Sequence, residues 1–228
     1  MPTVLITGGT RGIGLGCARV CLARGWRVAV SGASEASAAE VRETLPGAVA
    51  LPLPVEDPAA WAPALDTVED ALGPLDALIA NAGISPRREG RKVPFAAEGD
   101  EEEWARTLDV NLEGAIEGCR RVARRLRARG APGSLLVVSS IAGQVGIPFV
   151  SSYYATSKAA LLGFVRAAAY DLGPDGIRLN AIAPGRIATD MVAESGQAVN
   201  DAIAAETALQ RLGAPEELGE AAEFLISD

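Results

Sequence analysis

The sequence contains no histidine among its 228 residues, and this absence removes several chemistries at once. Mechanisms that pair a Ser or Cys nucleophile with His are excluded, and so is any metal site with a His ligand. The three cysteines, Cys17, Cys21 and Cys119, have no spacing typical of metal ligands. We therefore expect no metal site and predict buried thiols in a reducing cytosol.

A surplus of positive charge is also missing. Only 21 Lys and Arg residues stand against 29 Asp and Glu residues, which gives a net charge of −8. Such a chain has no basic surplus to neutralise phosphates, so nucleic acid is not an expected partner. No apolar run is long enough to span a bilayer, and the first residues lack the basic start of a signal peptide. We expect a cytoplasmic protein that does not bind membranes.

What the chain does contain is an alternation of strand-like apolar runs with helical patterns. Strands are predicted at residues 4–7, 27–31, 49–53, 77–81, 134–139 and 178–183. Helices are predicted at residues 12–24, 37–45, 58–72, 100–129 and 152–172. Several strands are apolar throughout, which is typical of parallel strands covered on both faces. The pattern predicts one α/β domain over residues 1–228.

Two segments, residues 85–99 and 185–200, are predicted to be irregular. The first contains a basic cluster of Arg87, Arg88, Arg91 and Lys92. Long loops in compact domains are often functional. This cluster either belongs to a solvated loop or contacts an anionic substrate or phosphate.

A glycine-rich segment, Thr7-Gly8-Gly9-Thr10-Arg11-Gly12-Ile13-Gly14, follows the first predicted strand and opens the first helix. Glycines let a backbone approach a pyrophosphate, and the free N–H groups of a helix start bind its charge. A purely structural turn would give a similar string. The placement between strand and helix favours a dinucleotide site.

The Gly-x-x-x-Gly-x-Gly spacing resembles the cofactor turn of the short-chain dehydrogenase/reductase family, in its compact single-domain branch. Five further segments match that family in order: Asn81-Ala82-Gly83, Asp109-Val110-Asn111-Leu112, Ser139-Ser140-Ile141-Ala142-Gly143, Tyr154-Ala155-Thr156-Ser157-Lys158, and Pro184-Gly185 followed by Thr189. The resemblance covers nearly the whole chain. It implies a Rossmann-type doubly wound parallel sheet in three layers.

The resemblance implies four catalytic residues, Asn111, Ser140, Tyr154 and Lys158. Tyr154 and Lys158 are four residues apart and share a helix face, so the ammonium is predicted to lower the pKa of the phenol. Tyr154 would then exchange a proton with the substrate, Ser140 would hold the substrate oxygen, and Asn111 would complete a proton relay. Tyr153 is a rival, but no lysine follows it at that spacing.

The resemblance also implies a set of cofactor-binding residues: Gly8, Thr10, Arg11, Gly12, Ile13, Gly14, Ser31, Val55, Asn81, Ala82, Gly83, Tyr154, Lys158, Pro184, Gly185, Ile187 and Thr189. The second strand ends in Ser31-Gly32-Ala33-Ser34, without the carboxylate that commonly binds the ribose 2′-OH of NAD. Arg11 adds a cation on the same side. We therefore predict NADP (NADPH) in preference to NAD.

The chain departs from the family pattern in four places. Pro54-Val55 replaces an acidic or amide residue before the adenine contact, and Ala80 replaces the first Asn of Asn-Asn-Ala-Gly. The loop between Gly83 and Asp109 is longer than usual. The sequence also stops at Asp228, before the usual seventh strand, so that strand is expected to be missing.

The predicted function is hydride transfer between a nicotinamide cofactor and a ketone or secondary alcohol. The segment from Thr189 to Arg211-Leu212-Gly213 resembles the 3-oxoacyl-carrier-protein reductases, which makes a 3-oxoacyl thioester the leading substrate. A non-catalytic dinucleotide-binding sensor or scaffold is the alternative, and a sugar-nucleotide epimerase would need a larger substrate domain. Helix 152–172 is apolar and rich in small residues, so a homodimer or homotetramer is expected.

Overall fold

The structure is a computed structural model that describes residues 1–88, 91–95 and 100–227. Its strands are β1 Thr3–Ile6, β2 Arg27–Gly32, β3 Ala48–Pro52, β4 Ala77–Ala80, β5 Arg87–Arg88, β6 Arg91–Lys92, β7 Gly133–Val138 and β8 Ile177–Ile182. Its α-helices are α1 Gly12–Ala23, α2 Glu35–Thr44, α3 Pro58–Leu72, α4 Asp100–Leu108, α5 Gly114–Arg129, α6 Ser152–Leu172, α7 Asp190–Ala193, α8 Gln197–Glu206 and α9 Pro215–Ile226.

Within the described residues, six strands form one parallel sheet in the order β3-β2-β1-β4-β7-β8. The winding direction reverses between β1 and β4, because β2 and β3 lie on one side and β7 and β8 on the other. Open sheets of this kind bind ligands outside the carboxyl ends of the strands at the reversal point. The expected Rossmann-type doubly wound sheet is confirmed.

Helices cover both faces of this sheet and give three layers. Along β1, Val4 and Ile6 pack into a core shared with α1, α2 and α9, while Leu5 packs into a core shared with α3, α5 and α6. All three side chains are fully buried. Burial on both faces explains why this strand is apolar at every position.

The predicted helix at residues 100–129 is interrupted in the structure. A π-helical turn, Asp109–Glu113, separates α4 from α5. Just beyond it Gly114 lies so close to Val55 that an added Cβ would be 2.8 Å from Val55 Cγ2. A π-helical turn inside a helix is rare and has no residue signature of its own, so the apolar periodicity predicted one continuous helix.

The interpretation of residues 185–200 as irregular is wrong in part, because they contain α7 and the start of α8. Helix α7 has four residues, which is too short for a periodic pattern, and α8 begins after Gly196, whose φ is 86°. The other irregular segment, residues 85–99, includes the short antiparallel pair β5 and β6. Residues 89–90 and 96–99 of that segment lie outside the described residues.

Helix α9, which the periodicity analysis did not identify, packs tightly against α1. A Cβ added at Gly16 would be 2.5 Å from the Pro215 carbonyl carbon, and one at Gly219 would be 2.8 Å from the Gly16 carbonyl oxygen. Two glycines thus bring the helix backbones into contact. No helix in the described part of the chain is both long and apolar enough to cross a membrane.

Candidate active site

The glycine-rich segment forms a tight turn between β1 and α1. Gly8 and Gly12 have φ values of 61° and 53°, in the left-handed region that favours glycine. A Cβ added at Gly14 would collide with the Gly8 carbonyl oxygen and lie 2.6 Å from Asn81 Nδ2. The helix start at Arg11 has no side-chain cap, so its N–H groups are available to an anion. This cradle fits the pyrophosphate of a dinucleotide.

Asn81 and Thr7 fix the shape of this turn from the neighbouring strand. Thr7 Oγ1 accepts hydrogen bonds from the backbone N–H groups of Asn81 and Ala82, each at 3.1 Å. The Asn81 amide nitrogen donates to the carbonyl oxygens of Thr7 and Gly8, each at 3.0 Å. Both amide donors of Asn81 are therefore used to hold the turn.

Ser140 and Tyr154 come together at the carboxyl edge of the sheet. Ser140 caps the short 3-10 turn that follows β7, and its Oγ accepts the Ala142 N–H at 3.1 Å. Tyr154 lies in the first turn of α6, with its hydroxyl near enough to Ser140 for that side chain to affect its pKa. Burial raises the pKa of Tyr154, and the Ser140 side chain opposes that rise. The phenol is therefore protonated at neutral pH.

Lys158 lies beneath Tyr154 and is 4% exposed. Its ammonium donates to the Val138 carbonyl oxygen at 2.8 Å, and Nζ is 5.7 Å from the centre of the Tyr154 ring. Burial lowers the pKa of Lys158 from 10.5 to about 8. The predicted lowering of the Tyr154 pKa by Lys158 is not seen in this structure. The ammonium lies on a backbone carbonyl and near the ring, while desolvation dominates at the phenol oxygen.

Asn111 joins the end of β4 to helix α6. Its Oδ1 accepts the Ile84 N–H at 2.7 Å, and its Nδ2 donates to the Ile84 carbonyl at 2.9 Å and to Ser157 Oγ at 3.2 Å. A Cβ added at Gly83 would be 3.3 Å from Asn111 Oδ1 and 3.4 Å from Lys158 Nζ. The fully buried amide is thus satisfied and lies close to the lysine.

Comparison with known proteins identifies the family that has this arrangement. Residues 8–228 match a family model described as enoyl-(acyl carrier protein) reductase. An L-rhamnose 1-dehydrogenase (NAD(P)(+)) from Azotobacter vinelandii is 35% identical over 99% of this chain and 90% of its own length. The chain belongs to the short-chain dehydrogenase/reductase family. It is an NAD(P)-dependent oxidoreductase that acts on CH–OH or C=O groups.

Solved structures of this family are similar in fold as well. A 3-oxoacyl-[acyl-carrier protein] reductase from Brucella melitensis has a TM-score of 0.91 and 36% identity, covering 99% of this chain and 84% of its own. A second Brucella melitensis reductase of that name, solved with bound NAD, has a TM-score of 0.89 and 35% identity over the same shares of the two chains.

Most of the other positions that the family resemblance selected surround the glycine turn. A Cβ added at Gly12 would be 3.2 Å from Thr189 Cγ2, and one at Gly32 would be 2.9 Å from Thr10 Cγ2. The Ser31 carbonyl accepts the Gly9 N–H at 2.9 Å. Ser31 Oγ is buried and has no hydrogen-bond partner among the described residues. Ile13 packs against the core between the sheet, α1, α2 and α9.

The segment after β8 runs beside Ser140 and the glycine turn. The Pro184 carbonyl accepts the Ile141 N–H at 2.9 Å, which places Pro184 beside the backbone that follows Ser140. Gly185 is exposed, and Ile187 forms a parallel bridge with Gly213. The structure thus brings these selected residues to the same edge as Tyr154.

The Val55 side chain differs from the other selected positions, because it packs mainly in the core. It is 5% exposed and packs in the core beside Gly114, while its carbonyl oxygen accepts the Trp61 indole N–H at 3.0 Å. The assignment of Val55 to the cofactor site stays a prediction. The residue after Pro54 continues the inward-facing set that includes Leu53.

Tyr153, the rival of Tyr154, points away from Ser140. It is 1% exposed, its hydroxyl donates to the Pro94 carbonyl at 3.3 Å, and its ring meets Trp104 edge-on with centroids 5.4 Å apart. Neighbouring residues on a helix face different directions, so only one of the two tyrosines reaches the serine. Tyr153 instead links α6 to α4 and to the loop before it.

Sequence reasoning missed two features of this short-chain dehydrogenase/reductase site. Thr7 is the acceptor that aligns β1 with the end of β4. Arg186, two residues after Pro184, stacks on Phe149 and bonds to Asn200. Arg186 could have been selected from the sequence, because it is a charged residue directly after Pro184-Gly185. Its partners could not, because they depend on the tertiary fold.

Proposed function

We propose that the protein is an NADPH-dependent reductase and dehydrogenase that interconverts a ketone and a secondary alcohol within a single catalytic domain. The placement of Tyr154 near Ser140, which caps the turn after β7, carries this proposal. It places a protonated phenol and a second hydroxyl where one carbonyl oxygen can contact both. A cytoplasmic location is supported by three free cysteines, all of them buried.

In the reducing direction, Ser140 holds the carbonyl oxygen of the substrate and Tyr154 transfers its proton to that oxygen. The nicotinamide cofactor supplies the hydride that the carbonyl carbon receives. Oxidation of an alcohol reverses both transfers, so the phenol then receives the proton. Burial of Tyr154 keeps the proton on its oxygen until the substrate oxygen becomes strongly basic.

Lys158 and Asn111, which are both buried, support this proton transfer. With a pKa of about 8, the lysine carries its charge at neutral pH and stabilises the phenolate that forms when the proton leaves. Asn111 holds Ile84 and Ser157 in place around the lysine. We propose that Asn111 and its π-helical turn anchor a water that returns protons to Tyr154 past Lys158.

The leading substrate class is a 3-oxoacyl thioester. The names of the two Brucella melitensis neighbours support it, and so does the Thr189 to Gly213 segment described above. The experiment is an assay of cofactor oxidation with NADPH and NADH over neutral ketones and 3-oxoacyl thioesters. Turnover that depends on Tyr154 supports the proposal. Tight cofactor binding without turnover of any ketone would favour the alternative, a non-catalytic dinucleotide-binding protein.

The preference for NADPH is supported by the surroundings of Gly32 and by Arg11. A Cβ added at Gly32 would collide with Ser37 Oγ, so no carboxylate side chain fits at the end of β2. Ser34 and Ser37 close a capping box there, at the start of α2. Arg11 is exposed at the start of α1, where its guanidinium can reach a ribose phosphate.

We expect Arg11→Leu to raise the Kd for NADPH by roughly tenfold and the Kd for NADH by less than about twofold, because only NADPH carries the additional phosphate. Fluorescence titration of both cofactors checks this. Arg24→Leu, at the opposite end of α1, is the control. An equal loss of affinity for both cofactors in Arg11→Leu would contradict the assignment.

We further propose that the protein is a homo-oligomer, either a dimer or a tetramer, in which α6 contacts a second copy. The outer face of α6 carries the small residues Thr156, Ala159, Gly163 and Ala167 beside the exposed Arg166, with Tyr170 86% exposed near its end. Small side chains allow close approach of helices across a two-fold axis. The same helix carries Tyr154 and Lys158.

Gly163→Trp is expected to dissociate this oligomer. A Cβ at position 163 meets nothing within 4 Å in the isolated chain, so the substitution leaves the monomer fold intact and obstructs only a partner. Sedimentation velocity and circular dichroism report the two properties separately. Ala202→Trp, on the exposed face of α8, serves as control. A wild-type protein that sediments as a monomer with full activity would refute the interface.

A further inference from the structure

Arg186 lies between the two segments that hold Ser140 and Tyr154. It follows Pro184, whose carbonyl binds the backbone beside Ser140. Its guanidinium carbon is 5.1 Å from the centre of the Phe149 ring, on the loop that leads into α6. Arg186 thus belongs to the segment that is hydrogen-bonded beside Ser140 and contacts the loop that leads into the helix of Tyr154.

A neutral amide orients this guanidinium. Nε and Nη2 of Arg186 donate to Asn200 Oδ1 at 2.9 and 2.7 Å, and Asn200 Nδ2 donates to the Val192 carbonyl at 3.2 Å. Asn200 is buried at 8% exposure. An amide fixes the direction of an arginine without cancelling its charge.

The positive charge of Arg186 is not neutralised within the described part of the chain. No carboxylate there forms an ion pair with it, and Nη1 makes no hydrogen bond to a described residue. Desolvation lowers the pKa of Arg186, and the nearby charge of Arg87 lowers it further. Two cations therefore lie close together at this edge of the sheet. A desolvated, oriented guanidinium that lacks a carboxylate partner is suited to bind an anion.

Building on the proposed reductase function, we propose that the substrate carries an oxyanion group, a carboxylate or a phosphate, and that Arg186 binds it. The planar guanidinium offers Nη1 and the remaining Nη2 hydrogen to the anion, while Asn200 and Phe149 hold the plane in position. The substrate is then oriented by its anion at one end and by the Ser140 and Tyr154 hydroxyls at its ketone.

The test compares substrates that differ only in the anion. For a carboxylate, 4-oxopentanoate and 4-oxocyclohexanecarboxylate are compared with their methyl esters. For a phosphate, 3-oxobutanoyl-CoA is compared with the 3-oxobutanoyl thioester of N-acetylcysteamine, which has none. We expect at least one anionic member to exceed its neutral partner by roughly tenfold or more in kcat/KM. The pair that shows the preference identifies the anion.

Two variants connect that preference to Arg186. Arg186→Leu removes the cation, whereas Asn200→Asp keeps the arginine and gives it a carboxylate partner of nearly the same shape. Both are expected to lower the ratio of anionic to neutral kcat/KM to within about threefold of unity. Arg124→Leu, an exposed arginine on α5, is the control for a general change in charge.

The inference is overturned if none of the three pairs shows a preference for the anion, or if the preference survives both variants. If neutral ketones are reduced and no anion preference exists, the proposed function stands and the inference fails. If no ketone is turned over, the proposed function fails. The anion site is then tested by calorimetry, which compares the binding of 4-oxopentanoate with the binding of its methyl ester. Equal binding of acid and ester, or binding that Arg186→Leu does not weaken, then overturns it.

Discussion

Tyr154→Phe is expected to lower kcat by roughly 10³-fold while the Kd for the cofactor stays within about threefold of the wild type. The ring remains in place, and only the hydroxyl that lies near Ser140 and donates the proton is lost. Steady-state turnover with the best ketone, together with fluorescence titration of NADPH, checks both parts of the expectation.

Tyr153→Phe is the matched control for this variant, since it removes the same atom from the adjacent residue. The Tyr153 hydroxyl contacts the Pro94 carbonyl at 3.3 Å and not Ser140. A change in kcat of a few-fold is therefore expected. If Tyr153→Phe were the inactive variant and Tyr154→Phe the active one, the assignment of the proton donor would be wrong.

Lys158→Met is expected to lower kcat by about 10²-fold or more and, at the same time, to stabilise the fold. The pKa of Lys158 falls from 10.5 to about 8, which costs the folded state roughly 3 kcal/mol at neutral pH. Loss of the hydrogen bond to the Val138 carbonyl returns about 1 kcal/mol of that. The net expectation is a gain of roughly 1–2 kcal/mol in the free energy of unfolding at pH 7.

The gain in the free energy of unfolding of Lys158→Met is expected to become smaller as the pH rises. Below a pH of about 8 Lys158 is charged in both states, so the wild type carries the full cost of its burial. Between about 8 and 10.5 the folded state releases the proton first, and the cost decreases as the pH rises. Urea unfolding at pH 7 and pH 9.5 should therefore show a smaller gap at the higher pH.

Lys92→Met provides the comparison, because Lys92 is the chain's other lysine and is exposed. Its substitution should change the free energy of unfolding by less than about 0.5 kcal/mol at either pH. A Lys158→Met protein less stable than the wild type at pH 7 would show that the ammonium stabilises the fold.

The sequence predicted the sheet well because its strands are buried on both faces. At β1, Val4, Leu5 and Ile6 need no polar face, so a short apolar run was enough to place the strand. The four-residue spacing of Tyr154 and Lys158 likewise selected the tyrosine that reaches Ser140. Both are local patterns, because the geometry of a single strand or a single helix determines the directions in which these side chains point.

The features that the sequence did not reveal depend on contacts between distant segments. The ammonium of Lys158 settles on the Val138 carbonyl, which is 20 residues away along the chain. The turn at Asn111 widens where its amide binds both backbone groups of Ile84. Arg186 acquires its orientation from Asn200 and Phe149, which lie on separate elements. The spacing of these residues along the sequence does not show which of them will be in contact.

The contact between α1 and α9 has a consequence for how the protein is made. The cofactor turn opens α1, yet this helix packs against α9, which is translated much later. The Arg19–Glu216 pair, for example, spans 197 positions. Contacts of such separation form late, because the intervening chain must be ordered first. The helix that opens the dinucleotide cradle is thus translated well before the helix that supports it, so in the nascent chain this support forms only after α9 has been made.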